Sequence, residues 1–318
     1  MNLLFERYNI RDSYDKNADA VLLEGDTFDI LRQLPNNAFT LIVSSPPYNI
    51  GKVYEQELRL QEYLDWQEKI IIELYRTCHI NGSIVWQVGN YVDQGEIFPL
   101  DIYFYPLFKK LGLKLRNRII WHFGHGLHAS KRFSGRYEVL LWFTKSDEYT
   151  FNLDDVRVPS KYPGKRNYKG SNVGKPSGNP LGKNPSDYWE IIVNEWDNGI
   201  IDIPNVKSNH PEKTEHPCSF PIELIERCVL AFTNENDSVL DPFGGVGSSL
   251  IAALKQKRRG VIIDKERKYI DIAKERIAKL ADGSLKTRKI GTPIFEPTGR
   301  EKVSQIPLEW RNNTEAVL

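Results

Sequence analysis

An α/β fold with a mostly parallel sheet is what this 318-residue chain predicts, on three observations. Residues 21–44 read as strand, turn, short helix, turn, strand. The same alternation returns at 238–280, with strands Ser238–Asp241 and Gly260–Asp264 between helices 249–257 and 266–280. Strands separated by helices need crossovers, and crossovers favour parallel pairing. Third, 40% hydrophobic and 27% charged residues suit a globular domain, and no apolar run approaches the roughly 18 residues of a membrane span. The N-terminus lacks the apolar core of a signal peptide, so a cytoplasmic location is expected. Cys78, Cys218 and Cys228 form no CxxC pair, which argues against a disulfide framework or structural zinc.

In chain order, Val21-Leu-Leu-Glu-Gly-Asp26 is a strand ending at an acid; Asp26 there is either a ligand contact or a helix cap. Phe28, Ile30, Leu31 and Leu34 give residues 27–34 an apolar helical face, and Pro35-Asn-Asn37 turns the chain into strand 40–44. Leu60, Leu64, Ile70, Ile71, Leu74 and Tyr75 recur with helical period over 60–77. Asn81-Gly82 reads as a break before strand 83–88. Residues 98–111 are helical up to Gly112. The runs 115–121 and 137–143 read as an antiparallel pair at the sheet edge, and helical pattern resumes at 222–232.

Two loops carry chemistry. The first, Ser44-Ser-Pro-Pro-Tyr48, stops the strand at two prolines, which fix φ and lack an N–H. The residue before each proline is held extended, so the loop is stiff. It presents the Ser45 hydroxyl, the Pro46 carbonyl and the Tyr48 ring at the carboxyl end of a strand, where open α/β sheets bind ligands. Two acceptors beside a stacking ring suit a planar group bearing an NH2, such as a nucleobase. The bland reading is a tight surface turn. The second loop, Asp241-Pro-Phe-Gly-Gly-Val-Gly-Ser-Ser249, joins strand to helix. Its glycines admit close approach of a ligand, but it does not fit G-x-G-x-x-G and no P-loop lysine follows. Asp264 ends the next strand, where ribose hydroxyls are bound in nucleoside sites. A sulfonium cofactor needs no phosphate cradle and tolerates Asp241 near its cationic end.

Net charge is +1, yet the cations are segregated. Eight Lys/Arg and no Asp/Glu lie between Ile102 and Tyr137, and seven and none between Val156 and Ser186. That distribution predicts a polyanion-binding face. His122, His125 and His128 recur every third residue, but Gly124 and Gly126 disfavour a helix and no acid lies near, so a basic loop is expected rather than a metal site. Residues 151–210 lack periodicity and interleave Tyr162, Tyr168 and Tyr188-Trp189 with cations. They read as a nucleic-acid-binding loop module or, more simply, as a linker.

With SSPPY at 44–48, the basic insert next and DPFGGVGSS at 241–249, the chain resembles an amino-directed DNA methyltransferase of the permuted class called beta. Gly25-Asp26, Glu212–Leu224 and Ile263-Asp264 with Tyr269–Ala273 resemble further family segments, so the likeness covers roughly 20–282. Ile262 stands where the family often has Gly, and Asp264 where Glu is common. The resemblance implies a circularly permuted Rossmann-like methyltransferase fold with a mostly parallel seven-stranded sheet and an inserted target-recognition region. It divides the chain into a catalytic half (1–150), a target-recognition insert (151–210), a cofactor-binding half (211–285) and a C-terminal extension (286–318). It implies S-adenosyl-L-methionine as cofactor, double-stranded DNA as partner, and a cognate restriction endonuclease as a separate chain, the protein itself being monomer or dimer. Ser45, Pro46, Pro47 and Tyr48 become the catalytic residues. Asp26, Lys213, His216, Asp241, Pro242, Phe243, Gly245, Gly247, Ser248 and Asp264 become the cofactor contacts. Lys131, Arg132, Arg136, Lys161, Lys165, Arg166, Lys169, Lys175 and Lys183 are the expected DNA contacts. Serine in the first motif position implies cytosine N4 as target, with adenine N6 the alternative; a flipped-out base is required in either case. Attack at cytosine carbon 5 through Pro217-Cys218, methylation of RNA or protein, and a binding-only protein are the weaker readings.

Overall fold

The alternation read at both ends of the chain closes into one sheet. The computed structural model describes residues 7–48, 58–123, 129–189, 206, 211–214 and 221–288. Its strands are β1 Ile10–Arg11, β2 Ala20–Glu24, β3 Phe39–Ser44, β4 Cys78–Val88, β5 Asn90–Asp93, β6 Glu96–Pro99, β7 Lys114–His122, β8 Tyr137–Thr144, β9 Tyr188–Trp189, β10 Ser238–Asp241 and β11 Arg259–Asp264. Its helices are α1 Thr27–Leu31, α2 Leu60–Thr77, α3 Leu100–Lys110, α4 Leu153–Val156, α5 Ile222–Phe232, α6 Ser248–Lys255 and α7 Arg267–Ala281.

The main sheet runs β1-β2-β11-β10-β3-β4-β8-β7-β9. Neighbours from β1 to β4 are parallel, β8 is antiparallel to β4 and β7, and β9 is parallel to β7. The seven expected strands are therefore joined by two-residue strands at each edge, β1 and β9. Those short strands blunt the edges against further pairing. A separate hairpin, β5–β6, turns through Gln94 and Gly95, both at positive φ.

Both faces of the sheet are covered, which is why its strands are apolar runs rather than alternating ones. Leu22, Leu41, Val43, Val85 and Leu140 point to one side and pack with α5, α6 and α7. Val21, Ile42, Ile84, Trp86 and Leu141 point to the other and pack with α2 and α3. Side chains as large as Trp86, Phe104 and Phe108 are fully buried there, each contributing about 1.5–3 kcal/mol of burial.

The predicted break at Asn81-Gly82 lies inside β4. The strand starts at Cys78, and its pairing with β3 shifts register between Phe39 and Leu41. A Cβ at residue 82 would lie 2.9 Å from the Thr40 carbonyl oxygen, so bare backbone sits at that irregularity. Among the described residues no helix is long and apolar enough to cross a membrane.

Candidate active site

β10 and β3 are parallel neighbours, so the two loops singled out above leave the same edge of the sheet side by side. β10 continues the sheet outward through β11 and β2, and β3 continues it the other way through β4. The order reverses between them, and a crevice at the carboxyl ends of the strands is where such sheets bind ligands. Gly25-Asp26 after β2, Ser45–Tyr48 after β3, the loop after β10 and Asp264 at the end of β11 all gather on that edge.

Asp241 ties the two loops together. One carboxylate oxygen accepts from Ser44 Oγ at 2.5 Å and from the Phe243 N–H at 3.0 Å; the other accepts from Ser249 Oγ at 2.6 Å. The side chain is buried, and that burial raises its pKa to about 6 despite the three donors. Asp241, expected beside the cofactor, sits beneath the loop with three donors on its carboxylate. Pro242 is buried and its carbonyl accepts from Thr27 Oγ1 at 2.8 Å. Half-buried Phe243 leans edge-on against Trp66 and Trp86.

The glycines divide their work. A Cβ on Gly244 would fall 2.4 Å from Ile262 Cβ, so this residue must be bare for the loop to lie on β11. The Ile262 that replaces a frequent family Gly is thus accommodated from across the strand pair. The Gly245 N–H donates to Asp264 Oδ2 at 3.0 Å, and Gly247 caps α6 in the left-handed region. Arg276 of α7, buried and absent from the sequence-based site, braces the same loop through Val246 O at 2.6 Å and Ser248 Oγ at 3.2 Å. Burial lowers its pKa to about 10.

Asp264 is half-buried at the strand end, and burial raises its pKa above the ordinary carboxylate value. Its other oxygen accepts from the Glu266 N–H at 2.8 Å. Asp26 is the N-cap of α1, one carboxylate oxygen accepting from the Phe28 and Asp29 N–H groups. Lys213 is exposed beside Glu212, whose carboxylate caps α5 through the Ile222 N–H at 2.8 Å. His216 lies outside the described residues, as do His125, His128 and Cys218.

The proline loop is more elaborately held than its sequence suggests. Tyr63 Oη donates to the Pro47 carbonyl at 2.7 Å, whereas no donor among the described residues bonds the Pro46 carbonyl. Ser45 Oγ donates to Tyr48 Oη at 2.8 Å, and Tyr48 Oη to Glu138 Oε2 at 3.1 Å. Gln87 Nε2 donates to the same Glu138 oxygen at 2.5 Å. Burial, and then the Glu138 charge, raise the Tyr48 phenol well above its usual value. Gln87 on β4 and Glu138 on β8 are additions from the structure. Each is a polar residue within an apolar strand, the one local signal that marked them.

The cations lie further out. Lys131, Arg132, Lys161, Lys165, Arg166, Lys169 and Lys175 are exposed, and Arg136 and Lys183 half-buried. The segment 157–183 is no free linker. It folds back on itself through bridges Val158↔Lys183 and Arg166↔Pro176, and Arg166 Nη1 donates to Gly174 O at 2.6 Å. Trp189 is buried in β9 against the main sheet. Tyr162 and Tyr168 are exposed among these cations. Phe133 is 99% exposed between Arg132 and Ser134, five residues before Glu138. His122 stacks on Tyr188.

No basic side chain lies between Asp241 and Ser249 to meet a phosphate, and the half-buried Asp264 carboxylate holds the Gly245 N–H of the same loop. These residues fit a nucleoside cofactor without phosphate. Sheet and crevice together define a Rossmann-like methyltransferase. Comparison is more specific: the chain belongs to the N6_N4_Mtase family of DNA methylases, whose sequence profile matches residues 39–275. It is similar to type II methyltransferase M.BglII of Bacillus subtilis, 46% identical over 266 residues, 83% of this chain and 71% of the relative. It is also similar to DNA adenine methyltransferase YhdJ of Escherichia coli K12, 27% identical over 82% of this chain and 83% of the relative. Among solved structures, the cytosine-N4-specific PvuII DNA methyltransferase shares the fold, with a TM-score of 0.63 at 18% identity over 87% of this chain and 95% of that one. TTHA0409 of Thermus thermophilus, solved with S-adenosyl-L-methionine, gives 0.57 at 27% identity over 82% and 96%. S-adenosyl-L-methionine is the cofactor.

Proposed function

We propose that this protein is a beta-class, SPPY-type DNA methyltransferase that modifies cytosine N4 at a short duplex sequence, as the modification enzyme of a type II restriction–modification system. The observation that carries the reading is the juxtaposition of two acceptors with the cofactor crevice. Ser45 and Pro46 follow directly on Ser44, which is bonded to the base of the cofactor loop. An exocyclic amine is a weak nucleophile because its lone pair is delocalised into the ring. Ser45 Oγ and the Pro46 carbonyl each accept one of its N–H bonds and draw the nitrogen towards tetrahedral geometry. Tyr48 stacks on the base. When bound, S-adenosyl-L-methionine supplies the electrophilic methyl group. Asp264 binds its ribose hydroxyls, Phe243 and the Gly245–Ser248 loop line its site, and Lys213 and His216 are its further contacts. Holding the amine in line with the methyl carbon supplies much of the rate.

Residues 151–210 are the target-recognition region, and Lys131, Arg132 and Arg136 extend its basic surface towards the active site. Phosphate contacts from these cations position the duplex. Serine in the first motif position favours cytosine. Adenine N6 is the second reading, supported by the similarity to an adenine methyltransferase noted above. The deciding experiment is expression in a host without DNA methylation, followed by sequencing that reads modified bases. N4-methylcytosine in one short motif is expected. N6-methyladenine would keep the mechanism and overturn the cytosine assignment; an unmodified genome with folded protein would overturn the DNA-modification reading.

A further inference from the structure

Methyl transfer to an exocyclic amine leaves a cationic nitrogen, and one proton has to depart before the product is neutral. Ser45 Oγ is the acceptor against one of those N–H bonds, but a hydroxyl keeps an extra proton poorly and must pass its own on. Its partner for that lies alongside. Ser45 Oγ is 2.8 Å from Tyr48 Oη, and Tyr48 Oη is 3.1 Å from Glu138 Oε2. A carboxylate only accepts, so the tyrosine must donate to it, which leaves the tyrosine's lone pairs to receive from Ser45. The direction of the chain is fixed by chemistry, outward from the amine.

The geometry points to a hydroxyl relay, Ser45 to Tyr48 to Glu138, that carries the departing proton away from the methylated amine, with Glu138 as its terminus. The inference rests on the amino-methylation reading above and gives Tyr48 a second task beside stacking. In balance, the amine N–H bond breaks and its electron pair returns to nitrogen. That proton joins Ser45 Oγ, the Ser45 proton moves to Tyr48 Oη, and the Tyr48 proton moves to Glu138. Both hydroxyls end as they began and the carboxylate ends as a carboxylic acid. Glu138 is half-buried, so it can return the proton to water.

Two further observations show a built arrangement. Gln87, 3% exposed on β4, donates to the same Glu138 oxygen at 2.5 Å and so holds the carboxylate from a second strand. Gly89, where β4 ends, is bare against the pair. A Cβ there would stand 3.1 Å from Tyr48 Cε2 and 3.6 Å from Glu138 Cγ, crowding the ring that carries the hydroxyl. The raised Tyr48 phenol stays a neutral hydroxyl at physiological pH, as a relay member must. Glu138 touches the reaction only through two other residues and is a positioning residue in that sense.

The test compares wild type, Glu138→Gln, Tyr48→Phe and the double variant. Single-turnover methyl transfer is measured against pH, cofactor binding by calorimetry, and the Tyr48 ring by 13C NMR in the cofactor-free protein. Each single variant should slow transfer about 100-fold or more at neutral pH, the scale of general base assistance. Cofactor affinity should stay within about twofold, since neither group lies in the cofactor loop. The double variant should be no slower than the slower single, and the acid limb of the wild-type profile should vanish in Glu138→Gln. In the free protein Glu138→Gln should lower the Tyr48 titration midpoint. Wild-type rates in either variant, additive losses with the acid limb intact, or an unmoved Tyr48 midpoint would each overturn the relay. Tyr48→Phe makes the same cut without altering charge, so one ill-folded variant does not decide the matter. If wild type methylates no nucleobase amine, it is the amino-methylation reading that fails, and the NMR arm still judges the bonded chain.

Discussion

Ser45 and Asp241 lie within a few ångströms of one bonded junction, yet they should respond to substitution in opposite ways. Ser45→Ala removes an acceptor that acts on the reacting nitrogen, so single-turnover transfer should fall by about 100-fold or more while cofactor affinity is retained. Equal loss of both would mark Ser45 as structural. Asp241 is buried with a pKa raised from 3.8 to about 6. Such an acid holds its proton more tightly folded than unfolded. Its ionisation therefore costs stability at pH above about 6, on the order of 3 kcal/mol, and the cost fades as pH falls from 6 towards 4. Asp241→Asn keeps the shape, and one serine hydroxyl can turn to meet the amide. Thermal melts between pH 4 and 7.5 should show the variant lacking this component of the wild-type gain on acidification; parallel curves would mean that Asp241 ionises without cost.

The elements that meet DNA differ from those that do chemistry in how they are held. The 157–183 segment has backbone bridges but exposed cations, so its charges can be changed without touching the core. Replacing Lys165, Arg166 and Lys169 with neutral residues should weaken DNA binding and reduce the slope of log affinity against log salt by up to about 3. Unchanged affinity would return the segment to a tether. The short basic loop before β8 carries Phe133 wholly in water, close in sequence to Glu138. A side chain of that kind suits a wedge between base pairs. Phe133→Ala should slow methylation of a paired duplex about tenfold, the scale of one lost aromatic stack, and spare DNA whose target base is already mispaired. Equal slowing on both substrates would exclude the wedge.

Across the whole molecule, what could be read from sequence followed physical range. α2 has the bounds that its periodicity predicts, and β10, β11 and α5 lie within a residue of expectation. Local pattern suffices for these because each is a long or strongly apolar element. Asn81-Gly82 misled because turn-forming residues also serve a strand irregularity. The β5–β6 hairpin went unread because its strands are short and half exposed, although Gln94-Gly95 was a turn signal. In the candidate site the two loop motifs declared themselves by spacing. Glu138, Gln87 and Arg276 did not, since their partners lie 90, 51 and 30 residues away in the chain. The tie between Asp241 and Ser44 belongs to the same class, because the two lie 197 residues apart.

That last separation reaches into how the protein is made. β2 and β3 leave the ribosome early, but the two strands that belong between them, β11 and β10, come at the other end of the chain. Until residue 264 has emerged, the centre of the sheet is a gap with two unsatisfied strand edges facing it. Such edges recruit any available strand, and long-range pairing forms slowly. Synthesis should thus leave the nascent N-terminal half dependent on chaperones for longer than a chain whose sheet is laid down in order. A chain halted at residue 210 should aggregate, and one supplied with residues 211–318 from a second polypeptide should be rescued as the missing strands slot into the gap.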